Sequence, residues 1–388
     1  MTMTAPRTIP FGRPWITDAD RQAVLEVLQG PILAHGPQGK QFEQEFAEFM
    51  GEGAYCVAVS SCTAALHLAY FHFGIGSGDE VIVPAQTHTA TAHAVELVGA
   101  KPIFLDCELQ TGNINCEQLE SLITSQTKAI SLVHFLGIPC NMDKIISLAE
   151  QYQLKIIEDC ALAVGTRYQG KHAGLFGDVG CFSFYPVKHM TTAEGGMFVS
   201  RHKSVAESVA KLRAFGVDRS YAERTIPGMY DVITLGFNYR MSDLQAALGR
   251  QQLKKIPEIL ERRSNNFAQL KALLSGIDHL SILDTTDANL VNSHYCLTVI
   301  LQGELKQHRN AVIASLKQAG VGTSIYYPQP VPRMTYYKNK YGYQAAVYPN
   351  ATTISDCSIA LPVGPHITSS DVEYIAESFK QAIKGGNE

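Results

Sequence analysis

The sequence predicts an α/β protein, with a large domain around a mostly parallel sheet followed by a smaller C-terminal α+β domain. Two observations carry this. Up to Ser200, short apolar runs alternate with helical patterns, the signature of parallel strands flanked by helices on both faces. After Ser200 the helical patterns lengthen, and a strand restarts only at Tyr295. The domain change falls in the long helical stretch that begins near Ile256, giving units 1–255 and 256–388.

A first amphipathic helix is predicted over residues 18–28, with Thr17 as N-cap, an apolar stripe of Val24, Val27 and Leu28, and Gly30 as the stop. Strand 55–59, helix 63–73, strand 80–83, helix 90–98 and strand 102–105 follow. Helix 116–123, strand 129–134, helix 142–152 and strand 155–158 repeat the alternation, and strands 179–185 and 196–200 close it. Beyond them the pattern predicts helices 242–252, 257–274, 307–319 and 370–383 around strand 295–301. Ligands of such sheets gather at the carboxyl ends of the strands, so the chemistry is sought there.

Composition excludes several classes. With 388 residues, 46% of them hydrophobic and 18% charged, the chain can bury a large core and is folded throughout. A formal net charge of −4 leaves no footprint for nucleic acid, and Lys254, Lys255, Arg262 and Arg263 read as a solvated helix face. No apolar run is long enough to span a membrane, and residues 1–10 lack the apolar core of a signal peptide. Nine cysteines without CxxC pairs predict neither a disulfide framework nor a metal site, so the expected setting is cytoplasmic, with reduced thiols.

Four features lie near predicted strand ends. Ser60-Ser61-Cys62-Thr63-Ala64-Ala65 opens a helix directly after a strand, where free N–H groups and the helix dipole favour a phosphate; an ordinary N-cap is the plainer alternative. Ile156-Ile157-Glu158-Asp159-Cys160-Ala161 ends an apolar strand on two acids, and a buried carboxylate there needs a cation, a cap or a salt bridge. In Phe182-Ser183-Phe184-Tyr185-Pro186-Val187-Lys188, a strand delivers a serine and then a lysine into a loop. Such a lysine can be held partly desolvated, as Schiff-base formation requires, although a surface lysine is the commoner fate. Gly236-Phe237-Asn238-Tyr239-Arg240-Met241-Ser242-Asp243 precedes a helix and supplies polar loop groups. The glycine run Gly74-Ile75-Gly76-Ser77-Gly78 precedes a strand instead of following one, which argues against a dinucleotide loop.

The order and spacing of these features say more than any one of them. Glu158-Asp159-Cys160-Ala161, Gly177-Asp178, Phe182-Ser183-Phe184-Tyr185-Pro186-Val187-Lys188 and Glu194-Gly195-Gly196 together closely resemble the DegT/StrS-type sugar aminotransferase family. The likeness runs from Gly36-Pro37 and Phe42-Glu43 through Ser61-Cys62-Thr63-Ala64-Ala65-Leu66 and Pro84-Ala85-Gln86-Thr87 to Leu361-Pro362.

That resemblance implies a fold-type I enzyme dependent on pyridoxal 5′-phosphate and working as a homodimer with shared active sites. By position, Lys188 would hold the cofactor as a covalent aldimine and Asp159 would keep its ring nitrogen protonated. Cys62, Thr63 and Ser183 would contact the phosphate, Asn238 would reach it from the partner subunit, and His88 would stack on the ring. Leu162 departs from the pattern, since many members place Gln or His there against the phenolic oxygen; the stretch from Tyr327 to Pro332 lacks a histidine common in the family.

The implied reaction moves an amino group from glutamate to a nucleotide-linked keto-deoxysugar, at C4, in polysaccharide biosynthesis. Two alternatives remain: a sugar dehydratase of the same fold, in which histidine replaces the lysine, and a regulatory or sensor protein that keeps the fold. Counting back from Glu194 puts Lys188 rather than His189 in register, which favours the aminotransferase.

Overall fold

The computed structural model describes residues 7–51, 53–219, 225–226 and 228–385; of the amino-terminal stretch 1–10, the first six lie outside the described residues. Two helices, α1 (Asp18–Gln29) and α2 (Pro37–Met50), come first. Then β1 (Tyr55–Val59), α3 (Cys62–His72), β2 (Glu80–Pro84), α4 (Thr89–Leu97), β3 (Lys101–Leu105), α5 (Cys116–Leu119), β4 (Thr127–Val133), α6 (Met142–Tyr152) and β5 (Lys155–Asp159) alternate. The short β6 (Arg167–Tyr168) and β7 (Lys171–His172) precede β8 (Val179–Ser183), β9 (Gly196–Ser200) and α7 (Lys203–Leu212). Helices α8 (Asp243–Lys254) and α9 (Ile256–Leu274) lead to β10 (Leu280–Ile282), β11 (Leu290–Val291), β12 (Leu297–Leu301) and α10 (Arg309–Gln318). Helices α11 (Thr335–Tyr341) and α12 (Pro349–Cys357), strand β13 (Ser358–Leu361) and α13 (Ser369–Gly385) complete the chain.

Seven strands form the main sheet in the order β1-β9-β8-β5-β4-β2-β3. The pairs from β8 across to β3 are parallel, while β9 runs antiparallel to both neighbours and is the one reversed strand. Strands β8 and β9 are buried at every residue, because helices cover both faces. The expected α/β architecture is the one observed, and strands 55–59 and 196–200 match residue for residue. A second sheet, β10-β12-β13, packs with α9, α10 and α13 around Phe267, Leu297, Val299, Leu316 and Phe379.

Several elements differ from expectation for identifiable reasons. The strand expected over 179–185 stops at Ser183: Phe184 still donates to the Gly195 carbonyl, but its own carbonyl is taken by the Thr192 N–H of the following loop, which ends the ladder. Strand 295–301 begins only at Leu297, since Tyr295 N–H is taken by the carbonyl of Leu136. The stripe on α1 is only partly used: Val27 is buried, but Leu28 is 55% exposed. Lys255 and Arg263 are not solvated. Lys255 pairs with buried Asp20 at 2.5 Å, and Arg263 is 5% exposed and donates to the carbonyl of Tyr295 at 2.7 Å. Lys255 sits at the junction of α8 and α9 and Arg263 on the inner face of α9, placements that a count of charges along the chain does not reveal.

Candidate active site

The strand order brings the four features to one edge. Register aligns Val133, Asp159 and Cys181 across β4, β5 and β8, and aligns Val59, Gly196 and Ser183 across β1, β9 and β8. The carboxyl ends of β1, β5 and β8 therefore face the same space as the start of reversed β9.

At the β1 side, Ser61 caps α3 by accepting the Ala64 N–H at 3.1 Å. Cys62 and Thr63 are the first two residues of the helix, so their N–H groups have no partner within it. Gly196 lies directly against this turn: a Cβ there would stand 2.6 Å from the Cys62 nitrogen, so only glycine permits the approach. The Cys62 thiol points inward, 3.4 Å from the carbonyl of Cys181 and 3.9 Å from Asp159 Oδ1, while Ser183 closes the other side and is 8% exposed.

Asp159 ends β5 at 4% exposure. Its Oδ1 accepts the Ala161 N–H at 3.0 Å and its Oδ2 the Thr91 hydroxyl at 2.8 Å. Among the described residues no Lys, Arg or His lies in ion-pair contact with it, so a buried anion faces the site without its cation. Lys188 enters from the loop after β8, its Nζ 5.4 Å above the Tyr295 ring. Burial pushes its amine below the ordinary lysine value, and the nearby Cys62 and Asp159 oppose that only in part. This favours the neutral, nucleophilic form.

An aromatic wall faces Lys188. The Tyr295 and Tyr326 hydroxyls meet at 2.8 Å, Tyr327 stacks edge-on with His88 at 5.5 Å, and Gln86 Nε2 ties down the Tyr326 carbonyl at 2.9 Å. His88 caps α4, its Nδ1 accepting the Ala90 N–H at 3.1 Å, and its exposed ring stands at the site mouth. Partial desolvation lowers its pKa, with Asp159 opposing the shift and Lys188 adding to it. Leu162 is buried in the apolar cluster beneath, where its carbonyl accepts from Ser293 at 3.1 Å. Asn238 is not brought to this edge by a contact within the chain; its backbone pairs with Ala214, and among the described residues its side chain makes no hydrogen bond. Thr91, Tyr295 and Tyr327 were not foreseen. A threonine four residues after Thr87 on a buried helix face was the one available signal.

Beneath Asp159, His134, Glu158 and Cys160 place donor atoms within 4.8 Å of one another, but hydrogen bonds occupy both His134 nitrogens and the Glu158 carboxylate. His134 Nδ1 accepts the Cys140 N–H at 3.1 Å, so Nε2 carries the proton and donates to Glu158 at 2.9 Å. Glu158 also accepts from Gly174, Phe176 and Gly177; burial alone would raise its pKa, and these bonds together hold it below the ordinary value.

The model of the DegT/DnrJ/EryC1/StrS aminotransferase family matches residues 14–380. The chain belongs to that family. This aminotransferase is 35% identical to the spore coat polysaccharide biosynthesis protein SpsC of Bacillus subtilis over 98% of both chains. It is 34% identical to an uncharacterised protein of Methanocaldococcus jannaschii over 97% of both. A putative sugar aminotransferase of Streptococcus pneumoniae in its PMP form superposes with a TM-score of 0.92 at 30% identity, covering 98% of this chain and all of that one. Helicobacter pylori PseC, an aminotransferase involved in pseudoaminic acid biosynthesis, gives 0.92 at 26% identity over 98% and 100%.

The enzyme is a pyridoxal-phosphate-dependent aminotransferase of fold type I. The residues present fit the group. A helix N-terminus approached by Gly196 suits a phosphate, an anion without a cation suits a protonated ring nitrogen, and a desolvated lysine suits an aldehyde.

Proposed function

We propose that this aminotransferase moves an amino group from glutamate to a nucleotide-linked keto-deoxysugar at C4, as a cytoplasmic homodimer with shared sites. The observation that carries the reading is the placement of Lys188 and Asp159 on one sheet edge, in a chain whose relatives include sugar aminotransferases. When bound, pyridoxal phosphate supplies an electron sink for charge developing at the substrate carbon. Lys188 would hold the cofactor through its Nζ and, when free, would carry a proton at that atom to and from the reacting carbons. Asp159 would keep a proton at the ring nitrogen, and the N–H groups of Cys62 and Thr63, with the Ser183 hydroxyl, would bind the phosphate. His88 would lie against the ring, and Asn238 would reach the phosphate from the second subunit.

Two observations support the finer claims. His189, the residue that would replace the lysine in a dehydratase, is buried, and its Nε2 donates to the Ser293 carbonyl at 3.0 Å. The segment before Asn238 exposes Phe215, Met229, Val232, Ile233 and Leu235, the last at 71%, a patch too apolar to face water and suited to a second copy of the chain. Mixing the purified enzyme with glutamate tests the donor: the cofactor absorption shifts to the amine form and 2-oxoglutarate appears. A cofactor-loaded protein that does neither refutes the glutamate reading. A panel of nucleotide-linked 3-keto and 4-keto sugars then tests the acceptor and the position.

A further inference from the structure

Asp159 is held by a directed hydrogen-bond chain from α4. Thr91 is fully buried and Thr87 is 1% exposed. Thr91 Oγ1 lies 2.8 Å from Asp159 Oδ2, and Thr87 Oγ1 lies 2.7 Å from Thr91 Oγ1. A carboxylate only accepts, so Thr91 spends its single hydrogen on Asp159, and the hydrogen between the two threonines must come from Thr87. The polarity of the chain, Thr87 to Thr91 to Asp159, is thereby set. On the other oxygen the Ala161 N–H donates at 3.0 Å, while the Cys62 thiol is nearer the Cys181 carbonyl and spends its hydrogen there. Asp159 thus has one donor on each oxygen, with lone pairs left for a ring N–H.

We propose that Thr91, backed by Thr87, is a positioning residue that keeps Asp159 in its carboxylate form and the shared proton on the ring nitrogen of the cofactor. The inference rests on the assignment of Asp159 to that nitrogen. A hydrogen bond donated to a carboxylate favours its charged form, and two in series strengthen one another in a site shielded from water. With the donor removed, the proton between carboxylate and ring is shared toward Asp159, and the ring loses power as an electron sink. The chain also gives a reason for a hydroxyl at this position in the first turn of α4, where packing alone would accept valine.

The test uses holoenzyme loaded with pyridoxal phosphate labelled with nitrogen-15 in the ring, whose chemical shift reports protonation independently of turnover. Wild type and Thr91→Ser show the protonated shift. Thr91→Val, which keeps the shape and loses the hydroxyl, moves toward the unprotonated shift and lowers kcat by roughly tenfold or more, with KM changed far less. Thr87→Val moves the shift in the same direction and less. Thr91→Ala repeats the measurement if the valine variant does not fold. A wild-type shift in Thr91→Val, or Thr91→Ser behaving like Thr91→Val, overturns the proposal. Asp159→Asn is the control. If it too keeps the protonated shift, the assignment of Asp159 itself fails and the Thr91 inference falls with it, whereas loss of the proton in Asp159→Asn alone refutes only the role of Thr91.

Discussion

Lys188 gains its meaning from where its amine is held. A surface lysine is an ammonium at neutral pH and attacks nothing; here burial lowers the amine, and the Tyr295 ring offers its face instead of a carboxylate. Tyr295 is itself fixed from behind, by the hydrogen bond from Arg263 to its carbonyl and by the Tyr326 hydroxyl. Replacing Lys188 with alanine leaves these supports in place and removes the nucleophile. We expect Lys188→Ala to fold with an unchanged melting temperature, to bind cofactor that gel filtration in denaturant strips away, and to show no turnover. Residual turnover near the wild-type rate would refute the assignment. Lys188, Asp159 and Ser183 could be singled out in the sequence because their order along the chain carries the pattern, and the sheet brings them to one edge. Thr91 and Tyr295 were not, because each owes its role to a residue far away in sequence, Thr91 to one 68 positions on.

Elements were legible where a local signal marks them and illegible where packing decides. Helix α6 was predicted to the residue, with Asn141 as its cap and Gln153 ending it in a left-handed conformation. Helix α2 went unread as an element although Phe42, Phe46 and Met50 form a clean inner face, since Gly36-Pro37 and Phe42-Glu43 stood out only as parts of the family pattern. Strand β13 follows α12 with no breaker between them, and its pairing with β12, and through Ala360 with Ser324, makes it a strand. The β6–β7 hairpin carries an element-scale prediction. His172 is fully buried, its Nε2 accepting from Gly165 at 2.9 Å and its Nδ1 donating to the Ala173 carbonyl at 2.6 Å, so it is neutral. Burial, only partly opposed by the carbonyl of Ala173, lowers its pKa from 6.5 to about 4. As pH falls from 6.5 toward 4, the unfolded chain takes up a proton that the folded protein refuses, so stability drops through that window, by on the order of 3 kcal/mol at its lower end. The melting temperature of wild type should fall over this range, and His172→Gln, which keeps one donor and one acceptor without titrating, should fall less steeply. Equal slopes would exclude His172 as the source.

At the scale of the molecule, two segments expose apolar side chains. Leu28 in α1, Ile32 and Leu33 just after it, and Val232, Ile233 and Leu235 before Asn238 are each close to half exposed or more. A groove lined by His67, Phe71, Ile75, Leu97 and Phe237 lies beside Leu235. These features fit the proposed homodimer, in which Asn238 serves the partner's cofactor. Asn238→Ala should then weaken cofactor binding in both sites of its own dimer. Mixed with Lys188→Ala under conditions that exchange subunits, it should recover one working site per mixed dimer, since one subunit supplies the lysine and the other the asparagine. No recovery, with subunit exchange shown by mass spectrometry, would place Asn238 in its own subunit's site or in none.

By itself the sequence determined what local physics governs. Alternating apolar strands and amphipathic helices can only be satisfied by a covered, mostly parallel sheet, and that topology sends the loops bearing Cys62, Asp159 and Lys188 to one edge. Capping side chains mark the starts of α3, α6 and α8, and glycines the ends of α1 and α2, in the same way. Only the tertiary structure decided which groups meet at that edge. It showed the reversal of β9 that lays Gly196 against the start of α3, the packing of α4 that points Thr91 at Asp159, and the burial of Arg263 behind Tyr295. Those contacts follow from strand order and helix rotation, which depend on the whole packed core, and no periodicity along the chain encodes them.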